Sequence, residues 1–496
     1  MNTRYFLLMG MALCMLQGHA QGTSGSNANK KALEQFRKET REKFESFRQE
    51  AMNKYLDFMR NPWKEFNSDE PLPVPKNELI EPVQVTNSDL LWFKKKKKKK
   101  VEVNEVVTPP KPKPQPKPVE PIREVPMKTK AYADITFFGT PVKVRYNADG
   151  RIKVKTVNPA GIADAMKALS SPDNDNMIVD CLAERDRLQL CDWAYLLMLK
   201  ALSDRIYGQD TNEATLLLAY LYMQSGYRMR LAYDDINNKV YMLYASQHII
   251  YEQGAINLNN ESYYCLGKMP HTLFLCEAPF PKEKNLSLMV TTNQRFAMDQ
   301  TGDRVVKSEK YNNVCLDVKV NKNLLDFYDT YPTSMIGDNQ MTRWAMYANK
   351  PMEETVKEKA YPALKQQLAG LSQKEAVECL LNLIQTGLEY KLDDLVWGHD
   401  RAFFPEESLF YPYCDCEDRS ILFTRLVRDL VGLECLLVYY PRHLAAAVAF
   451  TDEVEGDYIE LNGKKFTIAD PTYVAVSMGR TMPKMDNSTA KVIVLQ

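Results

Sequence analysis

The sequence predicts an α+β protein in which two similar α+β units follow a helical and Lys/Pro-rich N-terminal region. Three observations favour this class. The length of 496 residues, with 45% hydrophobic and 26% charged residues, is that of a soluble chain with more than one domain. From about residue 131, segments with helical periodicity alternate with segments of strand-like alternation. Residues 215–233 also resemble residues 420–439, since each has an apolar helix, a glycine and a short strand that ends in Tyr.

The N-terminus is typical of an export signal. Arg4 precedes an apolar run over residues 5–16, and Gly18-His19-Ala20 has the small-x-small pattern of a cleavage site. We therefore expect residues 1–20 to be removed and the mature chain to be periplasmic or secreted. The run is too short to cross a bilayer, and no later stretch has 18 consecutive apolar residues, so no transmembrane segment is expected. A buried N-terminal helix is the alternative interpretation.

Charge and cysteine content exclude two classes of protein. Lys+Arg and Asp+Glu both number 64, so the net charge is zero and no nucleic-acid partner is expected. Ten cysteines are too few for a disulfide scaffold of this length. Without Cys14 the mature chain holds an odd number, which leaves at least one free thiol in a monomer.

Residues 21–66 are predicted to carry one long amphipathic helix. Two rows of apolar residues recur every 11 positions, which is three helical turns, and the residues between them are mostly charged. The helix should end near Pro62 and should dock on the chain's own body or on an envelope partner. The two rows are Leu33, Phe44 and Tyr55, and Phe36, Phe47 and Phe58.

Residues 67–127 are predicted to be a Lys/Pro-rich linker. Lys94–Lys100 are consecutive lysines, and Pro alternates with Lys over residues 109–118. Such a segment favours extended polyproline II and has too little apolar content for a core. The lysine run is either a solvated stretch or a contact for anionic lipid or polyanions. We expect residues 21–127 to serve for placement and to be dispensable for chemistry.

The two units are predicted to span residues 128–335 and 336–496. In the first unit no cysteine stands just before Thr215, and no histidine follows closely after Tyr233. If the units are repeats, the first is degenerate and lacks the reactive residues of the second.

The second unit contains a set of residues suited to acyl transfer. Cys416 lies at the start of a predicted helix, where unpaired N–H groups and the helix dipole favour a thiolate. His443 opens a predicted strand, and Asp470 ends another that follows the Asn462-Gly463 hairpin turn. Since these strands are neighbours, His443 and Asp470 should lie side by side. A thiolate, an imidazole and an orienting carboxylate are the minimum set for thioester chemistry.

Residues 355–480 resemble the transglutaminase-like core, a branch of the papain-like cysteine-protease superfamily. The resemblance lies in Cys416-Glu417-Asp418, His443 and Asp470-Pro471-Thr472, in that order. It implies a helix bundle that carries the cysteine, packed on an antiparallel sheet that carries the histidine and aspartate. It further implies Cys416 as nucleophile, His443 as general base and acid, and Asp470 as orienting residue. His443 is followed by LAAAV, where the family has an aromatic residue soon after, so the substrate groove should differ.

The resemblance implies a protein, peptide or peptidoglycan-stem amide as substrate, with no cofactor and no metal. Cys414-Asp415-Cys416 has no second pair of ligands nearby in sequence, which disfavours zinc. Each residue also has a structural interpretation: Cys416 as a buried thiol, His443 as a sheet histidine and Asp470 as a turn residue. The alternative function is that of a non-catalytic exported scaffold or binding protein with the same fold.

Overall fold

The computed structural model describes residues 27–75, 99–118, 122, 124–126, 131–482, 485 and 488–496. The predicted export signal and most of the lysine run lie outside these residues. The chain divides into two compact units, Met1–Lys54 and Tyr55–Gln496. The domain boundaries predicted at residues 66, 127 and 335 all fall inside the compact unit Tyr55–Gln496. Within the described residues, no helix combines the length and apolar character needed to cross a membrane.

Helices and strands are mixed along the chain, as the predicted α+β class requires. The helices are α1 (Asn27–Met59), α2 (Pro159–Leu169), α3 (Asp175–Arg187), α4 (Asp192–Tyr207), α5 (Asn212–Gln224), α6 (Lys322–Tyr328), α7 (Thr342–Asn349), α8 (Glu354–Leu368), α9 (Gln373–Gly387), α10 (Asp393–Val396), α11 (Pro405–Phe410) and α12 (Cys416–Leu430). The strands are β1 (Lys64–Asn67), β2 (Val103–Val107), β3 (Ala131–Phe137), β4 (Thr140–Tyr146), β5 (Met229–Asp234), β6 (Lys239–Ala245), β7 (His248–Ile250), β8 (Ile256–Leu258), β9 (Glu261–Cys265), β10 (Thr272–Leu275), β11 (Arg304–Lys307), β12 (Cys315–Val318), β13 (Ser334–Ile336), β14 (Glu389–Tyr390), β15 (Tyr413–Cys414), β16 (Cys435–Tyr440), β17 (His443–Ala449), β18 (Tyr458–Leu461), β19 (Lys464–Ala469) and β20 (Ala490–Val494).

The compact unit Tyr55–Gln496 contains two six-stranded sheets. Their strand orders are β1-β10-β5-β6-β9-β8 and β2-β20-β16-β17-β19-β18. Helix α5 packs on β6 of the first sheet and on α4, while α12 packs on β17 of the second sheet and on α9. The second sheet buries Val438, Ala447 and Ile468 in one apolar cluster. Burial of this apolar surface is the main force that holds the sheet and its helices together.

The two sheets match pair for pair over five strands. The β5–β6 pair Met229↔Tyr244 corresponds to the β16–β17 pair Cys435↔Val448, because each hairpin starts three residues after the glycine that follows its helix. The tight β8–β9 turn joins the pair Leu258↔Glu261, and the β18–β19 turn joins Leu461↔Lys464. The sixth strands differ, since β1 is antiparallel to β10 whereas β2 is parallel to β20. Duplication of one ancestral unit stays a prediction, and this shared register is what it would produce.

The prediction of an unpacked linker over residues 67–127 is wrong for two stretches. Ser68 and Asp69 continue the pairing of β1 through backbone hydrogen bonds to His271 and Ala255. Residues 103–107 pair in parallel with β20 at one end of the second sheet. Val101, which is only 1% exposed, donates its N–H to Tyr458 of β18, the strand at the other end. The stretch VEVNEVV alternates apolar and polar residues with the period of a strand, and its Lys- and Pro-rich neighbours concealed that signal.

The long N-terminal helix is present, but its two apolar rows differ in burial. Tyr55 belongs to the core of the compact unit Tyr55–Gln496. Its ring packs edge to face on that of Phe280, with the ring centroids 5.9 Å apart. Phe36, Phe47 and Phe58 are 42–47% exposed. The side chain of Phe44 lies outside the described part of the structure. The C-terminal end of the helix is therefore part of the globular body, which contradicts the expectation that it only serves for placement.

Candidate active site

The helix α12 places Cys416 at its first position. Ile421, Leu422 and Leu426 are fully buried and hold the helix against strand β17. The helix ends before Gly432, whose φ of +74° is the left-handed conformation that glycine adopts at low cost. Cys416 is thus fixed at the end of α12 that faces the start of β17.

The β16–β17 hairpin places His443 opposite Tyr440, across a two-residue turn of Pro441 and Arg442. Strand β17 then pairs with β19, which ends at Ala469, one residue before Asp470. The sequence predicted that His443 and Asp470 would meet across neighbouring strands, and the structure places them so.

His443 and Asp470 form a buried pair. The Nε2 atom of His443 lies 2.8 Å from Oδ2 of Asp470, and the two side chains are 0% and 4% exposed. The second carboxylate oxygen, Oδ1, accepts hydrogen bonds from the backbone N–H groups of Thr472 at 2.9 Å and Tyr473 at 3.3 Å. In the neutral imidazole whose Nε2–H donates to Asp470, the Nδ1 atom of His443 keeps its lone pair. Nδ1 is buried and has no hydrogen-bond partner.

Cys416 lies next to this pair but makes no hydrogen bond to the imidazole. The N–H of Leu444 donates to its Sγ at 3.4 Å, and the thiol itself donates to Oε2 of Glu417 at 3.3 Å. The side chain is 0% exposed. Burial, followed by the charges of Glu417 and Asp415, raises the pKa of the Cys416 thiol well above its usual value. The expectation of a thiolate favoured by the helix start is therefore wrong for this conformation, because desolvation and two carboxylates outweigh the dipole.

Two residues that the sequence analysis missed hold the loop of Asp470. The Nε2 atom of Gln385 lies 2.8–3.0 Å from the carbonyl oxygens of Asp470, Tyr473 and Val476, which share its two N–H donors. The guanidinium of Arg419 donates to carbonyl oxygens on either side of the site, including that of Pro471 at 3.4 Å. The sequence signals that could have pointed to them are weak: Gln385 is a polar residue within the apolar run of α9, and Arg419 lies in the first turn of α12. Neither residue is part of a recognisable motif.

Five carboxylates surround the start of α12, and we call them the acidic cluster: Asp393, Asp400, Asp415, Glu417 and Asp418. Each is at most 9% exposed. Burial, and then the charge of Glu417, raises the pKa of Asp393 to about 8 and that of Asp400 to about 7. Two overlapping sets have carboxylate oxygens all within 4.8 Å of one another: Asp393, Asp415 and Asp418, and Asp393, Asp400 and Glu417. This is the part of the site that could hold a metal ion.

Cys414 is separate from this arrangement. It lies in β15, and its thiol donates to the carbonyl oxygen of Glu389 at 3.7 Å. Burial raises its pKa to about 11. Among the described residues, Cys414 is in none of the groups whose ligand atoms lie within 4.8 Å of one another.

Two cavities lie away from the candidate site. One of about 390 Å³ is lined by residues that include Gln115, Arg185 and Asp192. The other, of about 350 Å³, is lined by residues that include Arg428 and Phe466. Neither is lined by Cys416, His443 or Asp470, so neither provides a groove at the sulfur.

The first sheet carries other residues at the corresponding positions. By the shared register, Lys239 opens β6 where His443 opens β17, and Gly267 stands where Asp470 follows β19. Asn212 is the first residue of α5, as Cys416 is of α12. The three positions that correspond to Cys416, His443 and Asp470 therefore carry no thiol, imidazole or carboxylate.

Comparison of the chain with protein-family models and with curated proteins finds no match. The transglutaminase-like resemblance stays a prediction that rests on the residues named above.

Proposed function

We propose that the protein is an exported cysteine hydrolase or acyltransferase that acts on an amide or peptide bond. The observation that carries the proposal is the buried His443–Asp470 pair at 2.8 Å, with the N–H of the next residue, Leu444, donating to the sulfur of Cys416. A buried carboxylate that fixes one ring nitrogen and leaves the other free is the arrangement a general base requires.

In this mechanism Cys416 attacks the carbonyl carbon of the substrate amide. His443 accepts the thiol proton at Nδ1 while a bond forms between Sγ and the carbonyl carbon. The N–H groups in the first turn of α12, which have no partner within the helix, stabilise the negative charge on the oxygen. His443 then gives the proton to the leaving amine as the carbon–nitrogen bond breaks. Water releases the acid from the thioester in a hydrolase, and a second amine takes the acyl group in a transferase.

The conformation described here is closed in this proposal. Since Cys416 is fully buried, a substrate reaches it only after a local opening at the start of α12. Opening exposes the sulfur to solvent and removes the desolvation that raises its pKa, and His443 can then accept the proton.

A non-catalytic scaffold is the second candidate, and the burial of Cys416 favours it. A sulfur that is covered, with a raised pKa and no hydrogen bond to the imidazole, is also what a structural thiol would have. The exposed Phe36, Phe47 and Phe58 would then serve binding to an envelope partner.

The two candidates are separated by assaying the full mature chain on peptide, isopeptide and peptidoglycan-stem amides. We expect release of the amine, or acyl transfer detected by mass spectrometry, with wild type and with Cys435→Ala, and loss of at least about a thousandfold with Cys416→Ala. Cys435 is a matched control because it is also a buried cysteine of the second unit. Absence of turnover by wild type on all three substrates would leave the scaffold as the function, and equal turnover by wild type and Cys416→Ala would exclude Cys416 as the nucleophile.

Export is proposed from residues 1–20 alone. Fractionation of the producing cell should recover the mature chain, beginning at Gln21, from the envelope or medium. Recovery of a chain that still begins at Met1 from the cytoplasm would contradict the proposed location.

A further inference from the structure

The helix α1 repeats its chemistry every 11 residues. Residues 33–43 read LEQFRKETREK, and residues 44–54 read FESFRQEAMNK. Both repeats have an apolar residue at the first position, Phe at the fourth, Glu at the seventh and Lys at the eleventh. Because 11 residues make three helical turns, each of these positions forms a nearly straight row along the helix. The helix therefore presents a row of Phe with a row of Lys and a row of Glu on one side of it.

The row of Phe36, Phe47 and Phe58 is open to solvent. The three side chains are 42–47% exposed. Among the described residues from 31 to 50, no side chain is buried. The other apolar row differs, since it ends at Tyr55, whose ring packs on Phe280. A helix gains most of its stability from packing of its apolar face, so the exposed Phe row marks a surface for a partner.

The charges beside the Phe row indicate what this partner is. Glu39, Lys43, Glu50 and Lys54 are exposed and lie on the same side of the row. In an antiparallel pair of these helices with Phe47 on the two-fold axis, residues about equally far before and after Phe47 face each other. Glu39 of one copy then faces Lys54 of the second copy, and Lys43 faces Glu50. Every charge in these two rows meets the opposite sign, and such flanking pairs set partner choice and orientation.

The same register aligns the Phe row with itself. Phe36 and Phe58 lie 11 residues before and after Phe47, so Phe36 of one copy meets Phe58 of the second copy, and the two Phe47 rings meet at the axis. Aromatic rings pack well in offset or edge-to-face pairs of this kind. A parallel pair would instead turn the Glu and Lys rows toward the side of the helix that carries Leu33 and Tyr55. One antiparallel register therefore satisfies both the rings and the charges.

We propose that α1 pairs with α1 of a second copy of this chain as an antiparallel coiled coil that covers the Phe row. The 11-residue repeat predicts a right-handed supercoil, because about 3.67 residues per turn exceeds the value of about 3.6 for a straight α-helix. A membrane surface is less suited to the row, since helices that lie on membranes have a polar face rich in Lys and Arg, and here Glu alternates with Lys. The pairing does not depend on the chemistry of Cys416.

The test is sedimentation velocity of the full mature chain at roughly 1 to 100 µM, the range of moderate to weak complexes. Phe47→Ser removes the central ring. The double variant Glu39→Lys, Glu50→Lys makes this side of the helix basic in both copies. The fourfold variant, which adds Lys43→Glu and Lys54→Glu, restores opposite charges between the copies. Circular dichroism of each variant checks that the helix is kept.

A control and a test of orientation accompany these variants. Ile236→Ser is the matched control, because Ile236 is an apolar residue that is 86% exposed in the β5–β6 turn. Oxidation with diamide should link Phe47→Cys chains into disulfide dimers, since the two copies of this position meet at the axis. Phe36→Cys chains should stay unlinked at this position, because Phe36 meets Phe58 of the second copy.

We expect dimers with wild type and the control, association at least tenfold weaker with Phe47→Ser and with the double charge variant, and recovery in the fourfold variant. A monomer over the whole concentration range, or equally strong association of Phe47→Ser, would overturn the proposal. A monomeric chain that cosediments with phosphatidylserine vesicles would also overturn it and would assign the Phe row to a membrane surface. Disulfide dimers of Phe36→Cys would overturn the antiparallel register. Amide turnover is not a readout here, so the outcome is independent of the proposed activity.

Discussion

Replacing Asp470 by asparagine should reverse the tautomer of His443. In the wild type, Oδ2 of Asp470 accepts from Nε2, which leaves Nδ1 as the acceptor for a proton from Cys416. In Asp470→Asn, Oδ1 can still accept from Thr472 and Tyr473, while the new Nδ2 donates to Nε2. The proton of the neutral imidazole must then lie on Nδ1, and the general base is lost.

The structure also sets the size of the effects. Asp470 accepts three hydrogen bonds, and the asparagine preserves each contact but loses the assistance of the charge. At about 1 kcal/mol per bond, the free energy of unfolding should fall by roughly 1–3 kcal/mol. Amide turnover should fall much further, by roughly 10²–10⁴-fold, because a wrongly placed proton disables the base. Asp470→Ala leaves three buried donors unpaired and should cost at least about 3 kcal/mol.

The assay is nitrogen-15 NMR of histidine-labelled protein, with the signal of His443 assigned by its loss in His443→Gln. Correlations that identify the protonated nitrogen should show Nε2–H in the wild type and Nδ1–H in Asp470→Asn. Urea unfolding of the same samples gives the change in stability. An Nδ1–H tautomer in the wild type, or an unchanged tautomer in the variant, would refute the reasoning.

Three further predictions follow from burial and hydrogen bonding. Burial raises the pKa of Glu407 to about 7 from 4.5, so the folded state binds its proton more tightly than the unfolded state. The free energy of unfolding should therefore fall as pH rises from about 4.5 to about 7, by up to about 3 kcal/mol, and Glu407→Gln should show a smaller fall in urea titrations at each pH. Gln385→Ala removes an amide whose two N–H groups are shared by three buried carbonyl oxygens of the Asp470 loop, and it should lower Tm by several degrees. The exposed Gln366→Ala should not lower Tm, and equal Tm values for the two variants would contradict the role of Gln385. Deleting residues 21–127 removes β1 and β2 from their sheets and should lower Tm by more than about 5 °C, and an unchanged Tm would mean that these strands contribute nothing.

The strands of the second sheet could be predicted from the sequence because the patterns that indicate them are local. The Asn462-Gly463 turn and the alternation on either side of it define a hairpin, and a hairpin fixes which residues oppose one another. The hairpin places Asp470 just after the end of β19. The pairing of β19 with β17, which brings His443 beside Asp470, depends on the strand order of the sheet and not on this hairpin. Their catalytic roles stay predictions, since geometry alone does not establish turnover.

The sequence could not reveal what depends on distant segments. Asp393 and Asp400 belong to a segment that has no periodic pattern, so the sequence did not predict the acidic cluster. The raised pKa of Cys416 comes first from burial, which depends on tertiary packing. Strand β2 joins its sheet in parallel from far along the chain, and composition alone favoured an unpacked linker. Burial of Cys416 is likewise a property of tertiary packing, whereas the position of a helix start is a property of the local sequence.

The rate of Cys416 alkylation tests the central claim most directly. Cys416, Cys379 and Cys435 are all buried, so iodoacetamide reaches each of them only through local opening. Once exposed, only Cys416 has an imidazole beside it to accept the thiol proton. Peptide mapping of the mature protein should therefore show faster labelling at Cys416 than at the other two, and His443→Gln should slow Cys416 alone. Labelling of Cys416 at or below the rate of Cys379 and Cys435, unchanged by His443→Gln, would contradict a catalytic cysteine.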